Sequence, residues 1–533
     1  MRIDKVHIKS SFKNLQDFKI DIDEKSMETV LIGLNATGKS NLMEALVVIF
    51  RDLDLDRIPQ VPKNKEPFEY YIKYECRKND IEVEYKLKEG YSFKVNKESI
   101  PKSAFIRNKN QYLPNHVFVY YSGISERLRD LYSDHTKKYY EQIIKPEAKH
   151  KQFDSLPRIF LVQPIHTSFA LIAFYMFRDQ EKETIKFLKD EMKIHDFGSA
   201  LFMLKQPAWS KSRKEETDKF WGAKGLVRRF LEDLYRFSTA PISHTERIAS
   251  TYKKSETLNM LYLYIKDRDT FQELVNSKMY SDKIPLFNAL NSIEISDMLF
   301  DVKIKVKKEG VKGELSMGEL SEGEKQLLTV LGLLKFTKDE ETLVLLDEPD
   351  THLNPMWKWK YLEFLDSVVK RHDTTQIIFC THDPLVIGSM KSSQVRVFKR
   401  SPDGKTNVIE PEVSPKGLGV SGILTSELFG MPTILDKETQ IKLNRKRALQ
   451  GRLIRGEELS NEENASYVEL KLEMERLGFY EEVEDQWFKM YLAEISKLPL
   501  FQKVEFSDDE KETIEAQSKA AIQRVLNKLN NER

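Results

Sequence analysis

Residues 33–41, GLNATGKSN, have the types and spacing of a loop that holds phosphate groups. Gly-x-x-x-x-Gly-Lys-Ser stands here between the apolar run TVLI and the run LMEALVVIF, which has helical spacing. Glycines let backbone N–H groups turn towards phosphate oxygens, and the helix N-terminus adds partial positive charge. Lys39 would reach the β- and γ-phosphates of ATP, and the Ser40 hydroxyl would bind Mg²⁺. The predicted ATP-binding residues are Gly33, Asn35, Ala36, Thr37, Gly38, Lys39, Ser40 and Asn41.

Two carboxylates end a second apolar run, LVLLDE, at residues 343–348. Such a run is typical of a parallel strand that is buried on both faces, and ligands of α/β proteins lie at the carboxyl ends of these strands. Asp347 would hold Mg²⁺ through water, while Glu348 would orient or deprotonate the attacking water. The sequence therefore predicts Ser40 and Asp347 as metal ligands and Glu348 as a catalytic residue.

A third apolar run, QIIFC at residues 376–380, continues into THDP and places His382 at the carboxyl end of a strand. From there the imidazole would contact the γ-phosphate, which makes His382 the second predicted catalytic residue.

A fourth segment, LSEGEK at residues 320–325, precedes the apolar helical run LLTVLGLLKF. Its residue types fit an ordinary helix N-cap, and they also fit an exposed helix N-terminus that binds an anion.

Together these four motifs resemble those of ABC-type ATPases of the RecF, OLD and structural-maintenance-of-chromosomes branch. The resemblance implies that LSEGEK is the signature motif, with Ser321, Gly323 and Glu324 acting in trans on ATP held by a second subunit. The loop departs from that branch at Ala36, where a glycine is common. The implied fold class is α/β: an ABC-type ATPase head with a mixed sheet and a P-loop, split by a large, mainly helical insert and followed by a helical C-terminal tail.

A closer similarity, to the PtuA-type ATPases of Septu and retron anti-phage systems, rests on VFVYYSGISERL, ELSEGEKQLLTVLGLLKF and LLDEPDTHLNPMW. It implies an ATP- and Mg²⁺-dependent ATPase that forms a homodimer or higher homo-oligomer and regulates an associated HNH nuclease. The lid glutamine stays unassigned, with Gln111 and Gln163 as candidates. Because no clustered metal-binding carboxylates are evident outside the ATP site, we expect no intrinsic nuclease. The alternative is a RecF-like repair or DNA-loading ATPase without a nuclease partner.

The order of the motifs predicts a head that is assembled from two lobes. Residues 1–55 form the first lobe, and residues 293–411 form the second, with the signature, the carboxylate pair and the histidine. Residues 56–292 are predicted as an insert of strands followed by helices, without sustained heptads. Residues 412–533 are predicted as a helical, partner-binding region. A hairpin is expected at residues 395–410, because Asp-Gly stands between two strand-like runs.

One segment of the insert, residues 205–230, interleaves basic residues with Trp209, Trp221 and Phe230. This mixture suits contact with DNA or RNA through phosphates and stacked bases. It equally suits a solvated helical face whose aromatic residues lie in a small core.

Composition limits the class of protein. Lys and Arg number 85 against 84 Asp and Glu, so a nucleic-acid contact would have to come from a local patch. Cys76 and Cys380 are the two cysteines, too few for a disulfide framework or a zinc site of cysteine pairs. No run approaches the about 18 apolar residues of a membrane span, and no signal region is evident. We therefore expect a cytoplasmic protein without membrane contact.

Overall fold

The computed structural model describes residues 1–62, 65–123, 129–154, 156–210, 218–251, 254–277, 280–336, 341–369, 373–477, 513–514 and 516–524. The chain divides into two units, Met1–Val420 and Ser421–Arg533. Within the ranges just given, no helix has both the length and the apolar character needed to cross a membrane.

The strands are, in chain order, β1 Arg2–Phe12, β2 Leu15–Asp21, β3 Glu28–Gly33, β4 Tyr70–Cys76, β5 Asn79–Lys86, β6 Gly90–Val95, β7 Glu98–Ile100, β8 His116–Tyr121, β9 Ile159–Leu161, β10 Ile194–Lys205, β11 Thr239–Thr251, β12 Lys254–Ile265, β13 Leu299–Lys308, β14 Leu315–Ser316, β15 Thr342–Asp347, β16 Thr375–Cys380, β17 Val395–Arg400 and β18 Thr406–Ile409.

The α-helices are, in chain order, α1 Lys39–Leu55, α2 Lys102–Arg107, α3 Lys109–Tyr112, α4 Arg129–Ile143, α5 Pro164–Met176, α6 Lys182–Met192, α7 Gly225–Phe237, α8 Arg268–Asn276, α9 Lys283–Ile295, α10 Glu322–Leu334, α11 Pro355–Trp359, α12 Tyr361–Val368, α13 Pro384–Ile387, α14 Gly419–Thr425, α15 Lys437–Ile454 and α16 Asn461–Arg476.

A seven-stranded sheet positions the predicted site. Its strands lie in the order β18-β17-β3-β16-β15-β8-β9, and they are parallel except for β18, which is antiparallel to β17. Every residue of β15 and β16 is buried, as their apolar runs predict. Because the carboxyl ends of parallel strands share one edge of a sheet, the segments that follow β3, β15 and β16 lie side by side.

Helix α1 lies in a hydrophobic core that it shares with two sheets. One is the seven-stranded sheet, and the other is an antiparallel sheet in the order β2-β1-β4-β5-β6-β7. Phe50 of α1 contacts Tyr74 of β4 edge to face, with ring centroids 5.5 Å apart, and the same core includes Leu345 of β15. Each fully buried large side chain stabilises the fold by about 1.5–3 kcal/mol. This packing therefore fixes the position of α1, the helix that follows the glycine-rich loop.

A third sheet has the order β11-β12-β10-β13-β14, and its pairings are antiparallel. Strand β13 alternates buried Val302, Ile304 and Val306 with exposed lysines, the pattern of a sheet with one solvated face. Strand β14 leads through one turn of 3₁₀-helix at Met317–Glu319 into α10. The signature segment therefore connects this sheet to a helix of the head.

Residues 56–292, which the sequence assigns to an insert, contribute strands to all three sheets. Strands β4–β7 extend the six-stranded sheet, β8 and β9 lie at one edge of the seven-stranded sheet, and β10–β12 belong to the third. The sequence does not predict the hairpin of β11 and β12. The reason is that β11, TAPISHTERIAST, lacks regular apolar alternation, and its Ile242 is 58% exposed.

The hairpin expected at residues 395–410 is confirmed. Strands β17 and β18 pair antiparallel, and at their turn Gly404 has a φ of 81° while its N–H donates to Ser401 O at 2.9 Å. In the second unit, Lys442 of α15 forms an ion pair of 2.8 Å with Glu473 of α16. Residues 478–512, which belong to the predicted tail, lie outside the described residues.

Candidate active site

The loop between β3 and α1 has the backbone geometry that its glycines predict. Gly33 and Gly38 have φ values of 141° and 105°, which glycine adopts readily and other residues do not. A Cβ at Gly33 would lie 2.4 Å from Phe398 O, and a Cβ at Gly38 would lie 2.7 Å from Leu15 Cδ2. Both positions therefore need glycine for space as well as for conformation.

Ala36 adopts a left-handed conformation with a φ of 63°, which for a non-glycine residue is strained by about 1–2 kcal/mol. Contacts around the loop hold it in this conformation. Asn14 Nδ2 donates to Ala36 O at 3.0 Å, and Asn14 Oδ1 accepts from Asn41 Nδ2 at 2.5 Å. Thr37 Oγ1 also donates to Leu34 O at 2.8 Å. Hydrogen bonds within the chain therefore support the conformation of this loop.

The Lys39 ammonium lies inside the loop. Its Nζ donates to Gly33 O at 2.7 Å and to Leu34 O at 3.1 Å, and the residue is 5% exposed. Burial lowers the pKa of Lys39, whereas nearby acidic groups, Asp347 and Glu348 among them, oppose that shift. An anion bound in the loop would stabilise the ammonium further, so the charge and the backbone geometry fit a nucleotide phosphate.

Glu348 and His382 contact each other beyond the ends of β15 and β16. These strands are parallel and pair Asp347 with Cys380, so the residues that follow lie at the same edge. His382 Nε2 lies 3.0 Å from Glu348 Oε1. Burial and the charge of Lys39 lower the pKa of His382, while Glu348 opposes the shift. A neutral imidazole can donate its Nε2–H to the carboxylate and keep Nδ1 as an acceptor.

The backbone of Glu348 is itself left-handed, with a φ of 51°. Three hydrogen bonds hold it. Its N–H donates to Cys380 O at 3.1 Å, and its carbonyl oxygen accepts from Thr351 Oγ1 at 2.8 Å and from Gln326 Nε2 at 3.2 Å. Strained backbone of this kind persists where the surroundings over-determine it, and such positions cluster at functional sites.

A buried hydrogen bond joins the turns that carry Glu348 and His382. Thr381 Oγ1 donates to Asp350 Oδ2 at 2.8 Å. Burial raises the pKa of Asp350 to about 6. This hydrogen bond holds the two turns together and thereby keeps the two predicted catalytic side chains close to each other.

The predicted Mg²⁺ ligands differ in their exposure. Asp347 is 5% exposed at the end of β15, and Ser40 is half-buried in the first turn of α1. A hydroxyl and a carboxylate fit Mg²⁺, which commonly takes few protein oxygens and completes its shell with phosphates and water. In the described part of the chain, no group of three or more His, Cys, Asp or Glu side chains could hold a metal ion.

A cleft of about 740 Å³ brings the glycine-rich loop, Glu348 and His382 together. It is lined by residues 35–41 of the loop, by Glu348 and His382, and by three residues that the sequence analysis missed. These are Lys13, Asn14 and Arg400. Lys13 and Asn14 lie in the turn between β1 and β2, and Arg400 ends β17 beside β3, so their proximity to the loop follows from strand order and not from any local motif.

The two lid-glutamine candidates are not among the described residues that line this cleft. Gln163 caps α5, where its backbone N–H donates to His166 Nδ1 at 3.0 Å, and its Nε2 donates to Tyr132 OH at 2.5 Å. Gln111 is exposed in the short helix α3. The lid residue therefore stays unassigned.

The signature residues form a helix cap within their own chain. Glu324 Oε2 accepts from Ser321 N at 2.9 Å and from Ser321 Oγ at 3.1 Å, while Glu324 Oε1 accepts from Lys308 at 2.5 Å. Gly323 packs against His352, because a Cβ there would lie 2.6 Å from His352 O. Ser321 is exposed, and none of the three predicted residues is among those that line the cleft of this chain. The capping alternative is thus what these side chains do here, and action in trans stays a prediction.

In residues 205–230, the described side chains are largely engaged within the chain, and residues 211–217 lie outside the described part. Phe230 and Trp221 are buried, and Trp209 Nε1 donates to Ser296 O at 2.8 Å. Arg228 forms an ion pair with Asp218 at 2.9 Å. These contacts are typical of a structural segment, and nucleic-acid binding by this segment stays a prediction.

A family model described as "AAA ATPase domain" matches residues 1–387. That range includes the glycine-rich loop, the signature segment, Glu348 and His382.

The Septu protein PtuA of Bacillus mycoides (strain KBAB4) is 32% identical over 93 residues, which cover 17% of this chain and 13% of that protein. The Retron Vc95 probable ATPase of Vibrio cholerae serotype O1 biovar El Tor is 29% identical over 122 residues, 21% of this chain and 23% of that protein. The chain thus spans less than a quarter of the length of each of these relatives. With the family match, they confirm the resemblance that the motifs indicate.

A solved structure, the SMC head bound to the C-winged helix domain of ScpA, covers 77% of this chain and 98% of its own. It is 14% identical and has a TM-score of 0.34.

Proposed function

This chain belongs to the AAA ATPase domain family, and we propose that it hydrolyses ATP with Mg²⁺ and regulates an associated HNH nuclease in an anti-phage defence complex. One observation carries the ATPase part. The glycine-rich loop, Glu348 and His382 converge on one cleft of about 740 Å³, although the loop lies more than 300 residues before the other two in sequence. Hydrolysis of a phosphate bound in such a loop needs a water-activating group close by, and Glu348 would be that group.

The side chains divide the reaction between them. The loop N–H groups and the Lys39 ammonium bind the phosphate oxygens. Glu348 orients the attacking water and takes its proton. A γ-phosphate beside His382 favours the imidazolium form, which donates Nδ1–H to the phosphate while its Nε2–H holds the Glu348 carboxylate. When bound, Mg²⁺, held by Ser40 and Asp347, would neutralise charge on the phosphate oxygens. The products are ADP and phosphate.

A second copy completes the site in this proposal. Ser321 is exposed at the start of α10, so its hydroxyl and the N–H groups of that helix end can face the nucleotide of a partner chain. Binding of ATP between two copies would then favour a homodimer, and hydrolysis would release it. Glu324 contributes by fixing Ser321 in place.

Control of a separate nuclease is the finer part of the proposal. The matched relatives are a Septu protein and a retron ATPase, and this likeness supports a role in defence. An HNH nuclease partner acting on DNA or RNA in the cytoplasm would give the ATPase cycle an output, and the helical region of residues 412–533 is the proposed contact for it. The alternative is a RecF-like ATPase that loads or repairs DNA without such a partner.

One purification separates these functions. The chain is expressed together with the products of its neighbouring genes, and ATP turnover and co-eluting proteins are measured. We expect ATP hydrolysis and a co-eluting HNH protein. An active ATPase that elutes with DNA and without a nuclease would favour the RecF-like alternative, and a pure chain without turnover, alone or with its neighbours, would contradict the ATPase assignment.

A further inference from the structure

Gln326 lies between the signature helix α10 and the turn that carries Glu348. Its Nε2 donates to Glu348 O at 3.2 Å, and its Oε1 accepts from the His352 N–H at 2.8 Å. The side chain is 4% exposed, so water does not compete freely for these bonds. One amide therefore holds both ends of the turn that runs from residue 348 to residue 352.

Three hydrogen-bond partners hold the backbone of Glu348. Its N–H is held by Cys380 O of β16, and its carbonyl oxygen by Thr351 of the same turn and by Gln326. Of these three partners, Gln326 alone belongs to α10. Glu348 has a φ of 51°, and rotation of its backbone would change the direction of its side chain. Through Gln326, α10 therefore helps to orient the Glu348 carboxylate.

The start of α10 cannot slide independently of the turn. Gly323, one helical turn before Gln326, packs so closely on His352 that a Cβ there would lie 2.6 Å from the His352 carbonyl oxygen. Ser321 is tied to the same helix end through Glu324. A displacement of the exposed tip at Ser321 would therefore reach the turn through Gly323 and Gln326 together.

We propose that Gln326 is a positioning residue that transmits the state of the α10 tip, and hence the presence of an anion bound at Ser321, to the carboxylate of Glu348. This inference rests on the proposed ATPase function. It adds a regulated step: turnover rises only when the tip is occupied, because an occupied tip fixes α10 and α10 fixes Glu348. Gln326 itself touches neither nucleotide nor water in this scheme.

Gln326→Met tests the role of the two hydrogen bonds, since it keeps the length of the side chain and removes both polar atoms. We expect kcat to fall about 10–100-fold, because a displacement of the Glu348 carboxylate by about 1 Å or less is enough to slow the reaction by that factor. The Kd for a fluorescent ATP analogue should stay within about threefold, because the loop is untouched. A kcat equal to the wild-type value, or a loss of analogue binding in step with kcat, would overturn the proposal.

Gln326→Glu is the second variant, for the case that Met unfolds the turn. It keeps the acceptor for the His352 N–H and removes the donor to Glu348 O. The same loss of kcat with retained analogue binding is expected. Unfolding of both variants, seen as loss of the cooperative thermal transition of full-length protein, would mark Gln326 as a purely structural residue and overturn the proposal.

A double-mutant cycle tests the transmission itself. Ser321→Ala is combined with Gln326→Met, and separately with Thr351→Val, which removes the other donor to the same carbonyl oxygen but is not part of α10. If Gln326 relays the tip, the effects of Ser321→Ala and Gln326→Met on kcat are non-additive, whereas those of Ser321→Ala and Thr351→Val multiply. Additivity in both cycles refutes the relay. Absence of turnover in the wild-type chain would instead refute the ATPase function on which it rests.

Discussion

The Glu348 carboxylate lies 3.0 Å from His382 Nε2, so two side chains that are predicted to act at the γ-phosphate contact each other directly. Because His382 holds Oε1, Oε2 is the atom that can take a proton from water. The arrangement follows the usual order of an oriented base, in which one group takes the proton and a second fixes its direction. The hydrogen bond between Thr381 and Asp350 supports this arrangement, because it joins the turn that carries His382 to the turn that carries Glu348.

Glu348→Gln should bind ATP and lose turnover by about 10²–10⁴-fold, because the amide keeps the size of the side chain but cannot take the proton. ATP binding and phosphate release are measured in parallel. Glu309→Gln is the matched control, since Glu309 is a 62% exposed carboxylate directly after β13 and is not among the residues that line the cleft. Normal turnover by Glu348→Gln would remove Glu348 from the water-activating role.

Lys39→Ala should abolish nucleotide binding. The ammonium donates to Gly33 O and Leu34 O inside the loop, and in the proposed complex it would donate to the β- and γ-phosphates. Hydrogen bonds between charged groups are worth about 1.5–3 kcal/mol each, so the loss of two of them predicts at least about a 100-fold loss of affinity. Titration with a fluorescent ATP analogue measures it. Lys88→Ala removes an exposed lysine between β5 and β6 and serves as the control. An unchanged Kd in Lys39→Ala would place the nucleotide elsewhere.

If ATP is sandwiched between two copies, Lys39→Ala and Ser321→Arg chains should complement each other. Each alone is inactive, but a mixed dimer holds one intact site, made from the loop of one chain and the tip of the other. In an equal mixture half of the dimers are mixed, so the rate should recover to roughly a quarter of the wild-type value. Turnover is measured before and after mixing. Normal hydrolysis by either variant as a monomer would rule out the sandwich.

Asp350 should make folding stability depend on pH. Burial raises its pKa from 3.8 in the unfolded chain to about 6, so the folded state binds the proton more tightly. Its contribution to stability is therefore fully present below about pH 4 and is lost as the pH rises through 6. Asp350→Asn keeps an acceptor for Thr381 and removes the titration.

Relative to wild type, Asp350→Asn should gain up to about 3 kcal/mol of unfolding free energy between pH 4 and pH 7. Urea unfolding of both proteins across that range measures the difference. A difference that does not change with pH would show that Asp350 does not titrate between these values.

Local motifs predicted the parts of the site that are contiguous in sequence. The glycine-rich loop, the acidic end of β15 and the histidine after β16 each combine a strand signal with a particular residue type, so they could be found without the fold. Their convergence followed from the rule that parallel strands share one carboxyl edge. The S-x-x-E spacing also predicted the helix cap that Ser321 and Glu324 form.

What the sequence could not provide depends on pairing between distant strands. Lys13, Asn14 and Arg400 reach the cleft because β1, β2 and β17 lie where they do, and no short pattern marks them. Gln326 was passed over for the same reason. Its bonds to Glu348 O and to the His352 N–H involve backbone atoms of a turn more than 20 residues later, and a backbone partner leaves no trace in residue types.

The last prediction concerns the C-terminal region. Deleting residues 437–533 removes α15 and α16, whereas every residue that lines the cleft lies in the first unit, Met1–Val420. We therefore expect the shortened chain to retain ATP turnover and to lose co-purification of its nuclease partner. Pull-down with the products of neighbouring genes, alongside an ATPase assay, measures both. Loss of the folded first unit would show instead that the region only covers the head. Metal-dependent cleavage of DNA or tRNA by the full-length chain alone, surviving Glu348→Gln, would contradict the division of labour between ATPase and nuclease.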